Sequence, residues 1–366
     1  MASEQGTRLP FQEALKLVRL PPEPASQGSA QRFMSIRAAY LPGSDIVSPM
    51  PRVHKAAYGG HVYAQAGLAV CQAWRELEDQ KGVKPASRFG LHTMHGYFTS
   101  IGLPDRPFVY SVTPTTAARS ISTLSVTAYQ PTTPSTNPQH DHFPPADAAL
   151  PPGPTCFTAM CSLKLPEAHS GGLLIQEDSP QKRYASILGT RQPAEWPPAP
   201  PVDIDGIVDA VGADLVGNFP VVDMKKVGMT AWNEGKPVHE RVELILYRLL
   251  KPLPAENANE HLLVHAFTVD RNGLLMAGNH IGFGWSLGKA ASLSYSFVVH
   301  VNADEAVIRY GEDEWWVQEA TFPCVGAGRG IVMSKIWSPE GLHVATEYQD
   351  GLIRTFEPRE PREEKL

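Results

Sequence analysis

Residues 259–277 read NEHLLVHAFTVDRNGLLMA, and at helical spacing Leu262, Ala266, Val269, Gly273 and Ala277 fall in one apolar stripe. The spacing predicts a helix whose stripe faces a core or a cleft. Asp270 lies on that stripe beside Val269. Removing water from an ionised carboxylate is costly unless hydrogen-bond donors replace it. A chain that carries one there either satisfies it structurally or uses it.

A second helical run precedes this one. Residues 59–80, GGHVYAQAGLAVCQAWRELEDQ, place Val62, Ala66, Ala69, Ala73 and Leu77 on one face of a helix from about 61 to 80, entered through Gly59-Gly60. Each helix is preceded by a strand-like run, at 32–40 and 241–250. In the first half, runs rich in β-branched and aromatic residues follow at 88–98, 108–113, 120–129 and 155–165. In the second they follow at 291–301, 315–322, 330–337 and 343–356. The repeated order points to a duplication. One helix with several antiparallel strands is an α+β pattern, the sheet wrapping the helix.

The 366 residues, 42% hydrophobic and 19% charged, are enough for two domains of ordinary size. A formal charge of -6 without a sustained basic run argues against nucleic acid as the main partner. No stretch approaches the ~18 apolar residues of a membrane helix, so no membrane span is expected. Cys71, Cys156, Cys161 and Cys324 lack CxxC spacing, and no signal-peptide core is recognised, so free thiols in a reducing compartment are expected. Two proline-rich stretches interrupt the pattern. Residues 131–154 read as a mobile loop between two strands, and RQPAEWPPAPPVDID (191–205) as a stiff, extended linker. The expected division is an N-terminal extension at 1–30, a unit at 31–166 containing the insertion, a linker at 167–222, a second unit at 223–358 and a tail at 359–366.

The blocks GGHVYAQAGLAV (59–70) and LHTMHGYFTSIGLPDRPFVYSV (91–112) resemble the first half of the acyl-CoA thioesterase II family. VHAFTVD (264–270), AASLSYSFVVH (290–300), the Arg-Gly of GAGRG (326–330) and ATEYQDGLIR (345–354) resemble its second half, in the same order. The resemblance implies a double hotdog fold, two antiparallel sheets each wrapped around a long helix, in agreement with the pattern read from the residues. It also implies a catalytic trio from the second half, with no cofactor. Asp270 matches the family's helix aspartate, Ser292 the Ser or Thr that opens its strand motif, and Gln349 its Gln-Glu-Gly glutamine. Nearby the chain departs from the family. Ser294-Tyr295 replaces Asp-His, Met333 replaces an arginine, and arginines around 120–126 are absent, which bears on CoA contacts and acyl preference.

The chemistry of the trio stands without the family. A thioester carbonyl is already electrophilic, so hydrolysis needs a positioned water, a proton acceptor and donors for the oxyanion. Asp270 can be the base, with Ser292 and Gln349 holding the water and satisfying the carboxylate. Gly59 and Gly60, at the start of the first helix, are expected to wall the substrate site, and Arg329 to meet a CoA phosphate from the end of a hairpin turn.

Other candidates carry less. His92 and His95, three apart on a strand, point to opposite faces and make a poor metal pair, so no metal is expected. His140, Asp141 and His142 read as a solvated cluster in the proline-rich stretch. Cys71 and Cys324 lack a histidine with an orienting partner and read as inert thiols. Trp315-Trp316 reads as sheet packing. GAGRG has neither the strand-to-helix setting nor the lysine of a phosphate loop.

The expected function is hydrolysis of a fatty acyl-CoA to free acid and CoA. The alternatives are a hotdog thioesterase acting on a biosynthetic, polyketide-type acyl thioester, and a hotdog protein that binds acyl-CoA without turnover. A homo-oligomer is compatible with the sequence. The terminal Glu364-Lys365-Leu366 resembles the peroxisomal Ser-Lys-Leu address with Glu at the small-residue position, so peroxisome or cytosol is the expected location.

Overall fold

Helix α1 (Gly59–Gln80) and helix α2 (Ala258–Val269) lie against each other in the interior of the computed structural model. Small residues permit the approach. Ala64, Ala66, Ala69 and Ala73 of α1 are fully buried, and a Cβ on Gly67 would stand 2.4 Å from Leu263 Cδ2 of α2. The structure describes residues 8–22, 30–44, 46, 56–84, 88–137, 142–167, 175–212 and 214–356. His140, Asp141 and the terminal 364–366 lie outside them.

Among the described residues twelve strands wrap the helices. The first half supplies β1 (Leu17–Leu20), β2 (Gln31–Ser35), β3 (Gly90–Phe98), β4 (Val109–Ala117), β5 (Ile121–Pro131) and β6 (Pro152–Lys164). The second supplies β7 (Val222–Lys226), β8 (Val242–Leu249), β9 (Leu287–Val299), β10 (Trp316–Gly326), β11 (Arg329–Trp337) and β12 (His343–Thr355). Their order is β1-β2-β4-β5-β6-β3-β9-β12-β11-β10-β8-β7. Among the described residues every strand pairing is antiparallel, and β3 joins β9 from Thr93 opposite Val298 to Tyr97 opposite Ser294. The two expected sheets are therefore halves of one. One apolar core unites them, with Val62, Ala66 and Val70 of α1 in the same cluster as Leu263, Phe267 and Val269 of α2.

Three expectations change. The helix expected over 259–277 breaks after Val269, passes through Asn272 in the left-handed region (φ 63), and restarts as α3 (Gly273–His280). Asn tolerates that conformation through its short polar side chain, and Asn-Gly is a turn signal that the apolar stripe masks. The break puts Asp270 at the end of a helix.

The 191–205 stretch is packed, not a bare spacer. Trp196 and Ala199 are buried, and the Ala199 and Pro200 carbonyls accept hydrogen bonds from Arg271 Nη2 at 3.1 Å, with Asn272 Nδ2 on Pro200 O at 2.8 Å. Tyr184 and Trp196 cluster with Val242, Leu244, Trp315 and Val317. That second cover explains why β8 is buried on both faces. Trp315 packs in this cluster and Trp316 in the main core, as expected of a sheet-packing pair.

Residues 131–137 and 142–154 of the other proline-rich stretch are also tied together by side chains rather than running as a bare loop. A 3-10 turn spans Pro145–Ala149, and its Asp147, fully buried, accepts from Ser135 Oγ and Thr136 Oγ1 at 2.6 Å each. Short polar side chains holding a turn together need few apolar residues.

Candidate active site

Four elements bring the site together: the start of α1, the end of α2 and the neighbouring strands β9 and β12. Helix α1 begins after Tyr58 without a side-chain cap, so its first N–H groups need other acceptors. Asp270, the residue that ends α2, provides one. The Gly60 N–H donates to Asp270 Oδ2 at 2.5 Å. The last turn of α2 is held in place by Tyr58, whose hydroxyl donates to Phe267 O at 2.7 Å.

The Asp270 carboxylate is buried, and its other oxygen, Oδ1, accepts from Gln349 Nε2 at 2.7 Å. Burial pushes its pKa up to about 7, partly opposed by the Gly60 N–H and the Ser292 hydroxyl. A carboxylate poised near neutrality is matched to general-base work.

Ser292 reaches this cluster through an irregularity. Along β12, Asp350 faces Ser294 but the next residue, Gly351, faces Ser292, so Leu293 is an extra residue in β9. Residues three apart on a regular strand point to opposite faces; the bulge resets the alternation. Ser292 Oγ thus comes within 3.0 Å of both Tyr295 OH and Gln349 Nε2. Gln349 Nε2 also lies 2.7 Å from Tyr295 OH. Its other amide atom, Oε1, has no hydrogen-bond partner among the described residues and lies 2.6 Å from where a Cβ on Gly273 would stand.

Asp270, Ser292, Gln349, Gly59 and Gly60 are therefore neighbours. A Cβ on Gly59 would be 3.1 Å from Asp270 Oδ2 and 3.4 Å from Ser292 Oγ, and one on Gly60 would be 2.8 Å from Phe267 O. Arg329 is elsewhere. It sits at the end of a two-residue turn, Ala327-Gly328, with positive φ at both positions, and pairs with Asp350 on the sheet face opposite Gln349.

Two residues at the site had no assigned role in the sequence reading. Tyr295 was visible only as a departure from the family motif. Glu347, two residues before Gln349 on the same inward face of β12, is a second buried carboxyl; burial and the neighbouring Asp270 hold it well above the usual carboxylate range. Its signal was an acidic residue at an inward strand position.

Burial pushes the Cys71 and Cys156 thiols up to about 12. His92 bonds Ser162 at 3.1 Å and His95 bonds Ser296 at 3.0 Å. Among the described residues no group of three His, Cys, Asp or Glu side chains could hold a metal ion, and no helix is long and apolar enough to cross a membrane.

Comparison with known proteins now decides the family. Residues 46–161 match the model of the acyl-CoA thioesterase N-terminal domain, and residues 197–353 that of its C-terminal domain. The chain belongs to the acyl-CoA thioesterase family. Its members are thioester hydrolases, and both of the family's domains are present here in order. Human acyl-coenzyme A thioesterase 8 is 22% identical over 312 residues, covering 82% of this chain and 81% of that protein. Among solved structures, the acyl-CoA thioesterase II TesB2 of Mycobacterium marinum is 20% identical, with a TM-score of 0.59 over 96% of this chain and 99% of that one. The tesB protein of Mycobacterium avium subs paratuberculosis is 16% identical, with a TM-score of 0.54 over 94% and 97%. At these identities the structures speak for the hotdog fold alone.

Proposed function

We propose that this acyl-CoA thioesterase hydrolyses a fatty acyl-CoA to free acid and CoA by direct attack of water. Asp270 takes a proton from the water as its oxygen bonds to the thioester carbonyl carbon. Gln349, bonded to the carboxylate, and Ser292 beside it orient that water. The start of α1, whose first turn faces Asp270, presents its positive end to the developing oxyanion. When the C–S bond breaks, the proton on Asp270 passes to the departing CoA sulfur, which leaves Asp270 ionised for the next cycle. No covalent intermediate is needed.

The observation that carries this reading is the convergence on Asp270. A buried carboxylate receives Gly60 from the first half and Gln349 from the second, with Ser292 beside it. Release of free thiol from linear acyl-CoAs of graded chain length is the test. Turnover that rises to an optimum on fatty chains supports the proposal. Activity confined to polyketide-type thioesters would favour the biosynthetic alternative, and tight acyl-CoA binding without turnover on any substrate would favour a binder.

A further inference from the structure

The amide of Gln349 has more acceptors than protons. Nε2 carries two hydrogens, yet Asp270 Oδ1 lies at 2.7 Å, Tyr295 OH at 2.7 Å and Ser292 Oγ at 3.0 Å. The amide cannot be turned the other way, since Oε1 facing an ionised carboxylate would set two acceptors against each other. One hydrogen therefore goes to Asp270. The second goes to the phenol oxygen, the shorter of the remaining contacts, and Ser292 has to be reached by another donor. The Tyr295 hydroxyl, 3.0 Å from Ser292 Oγ, is that donor.

We infer that Tyr295 is a positioning residue for hydrolysis: its phenol accepts from Gln349, donates to Ser292, and so fixes where the Gln349 and Ser292 protons point. This rests on the water-attack reading above. With its oxygen accepting the phenol proton, the Ser292 hydroxyl has its single proton left to donate toward Asp270. The ring itself is pinned, edge-on to Tyr63 at 5.2 Å and to Phe98 at 5.5 Å between centroids. Tyr295 is 2% exposed, so solvent does not compete for its hydroxyl. The Leu293 bulge gives the arrangement its geometry, because without it Ser292 and Tyr295 would lie on opposite faces of β9. Removing the phenol oxygen takes away both the acceptor of one Gln349 N–H and the donor to Ser292, so the amide and the serine hydroxyl are no longer held in register.

The test uses the full chain with Tyr295→Phe, which keeps the ring between Tyr63 and Phe98, with Ser292→Ala, the double variant, and Asp270→Asn as control. Thiol release is measured with each, alongside thermal unfolding. Tyr295→Phe is expected to lower kcat roughly 10-fold to 100-fold, the scale of a misplaced reactant, with KM within about twofold. The double variant is expected to lose much less than the product of the two single losses, because both act through one hydrogen bond. Wild-type kcat in Tyr295→Phe, a loss confined to KM, or fully multiplicative losses would overturn the inference, whatever the change in thermal stability. With Asp270→Asn inactive, such a result would remove Tyr295 alone from the account. Wild-type turnover by Asp270→Asn would overturn the water-attack reading and the Tyr295 role together.

Discussion

The Gly60 N–H donates to Asp270 Oδ2 at 2.5 Å across 210 residues of chain. Asp270 thus does for α1 what a local Ser, Thr, Asp or Asn does at most helix starts, and it ties the first half of the molecule to the carboxylate of the second. The same contact holds Asp270 ionisable in a buried place, because the helix end favours negative charge. Under the proposed role of Asp270, capping and chemistry are one arrangement, so disturbing either half of it disturbs the other.

Arg271 should matter almost as much as its neighbour. Its guanidinium lies 4.3 Å from the centroid of the Phe219 ring, and its Nη2 bonds the Ala199 and Pro200 carbonyls. Arg271→Ala would leave the Ala199 carbonyl without its donor and the Pro200 carbonyl with Asn272 alone, and release the turn that follows Asp270. Chemical unfolding is expected to show a loss of about 2–4 kcal/mol, with kcat lowered in the fraction that remains folded.

Gly273 offers a test of Gln349 that leaves Gln349 in place. An alanine there would bring Cβ to 2.6 Å from Oε1 of an amide already held on its other side. Gly273→Ala should lower kcat roughly 10-fold to 100-fold by displacing the amide, while the melting temperature stays near that of the wild type. Unchanged kinetics would mean that the glutamine side chain has slack.

Much of this was legible in the sequence, and the failures share a cause. Strand periodicity and the two apolar helical stripes are local properties, so the helix from 59 to 80 and the strands around Ser292 and Gln349 fall close to their expected places. Asp270, Ser292 and Gln349 could be named from the family blocks and the charge on the stripe. The break at Asn272 could not be read from the stripe, since it depends on carbonyls at 199 and 200 supplied by a stretch that looked like a spacer. Strands β1 and β7 were missed because edge strands of four and five residues leave little periodicity. The bulge at Leu293, which aims Ser292, shows only in the pairing with β12.

Asp147 tests the corrected view of the 131–154 stretch. Its carboxylate accepts both the Ser135 and the Thr136 hydroxyls in a fully buried position. Asp147→Ala should cost about 1–3 kcal/mol in stability and leave kcat as it is. A change no larger than a surface substitution would return this segment to the status of a loose loop.

The pH dependence carries a definite sign. As the proposed base Asp270 would act ionised, and its pKa is raised from 3.8 to about 7, so kcat/KM should be present above about pH 7 and fall as pH drops through that value. Stability should move the other way. The native state binds this proton more tightly than the unfolded chain, so between about pH 4 and pH 7 the contribution of Asp270 to stability declines as pH rises. Parallel titration of thiol release and of unfolding midpoint checks both limbs. An activity limb near the ordinary carboxylate pKa would place a different base in the reaction.

The most direct measurement is the turnover number of Asp270→Asn for release of CoA thiol from the best acyl-CoA of the panel, with the fold verified by circular dichroism and cooperative unfolding. The amide is nearly isosteric with the acid, so the fold should be retained. If Asp270 is the base, kcat should fall by roughly 10² to 10⁴. A folded Asp270→Asn protein that turns over at the wild-type rate would contradict the account.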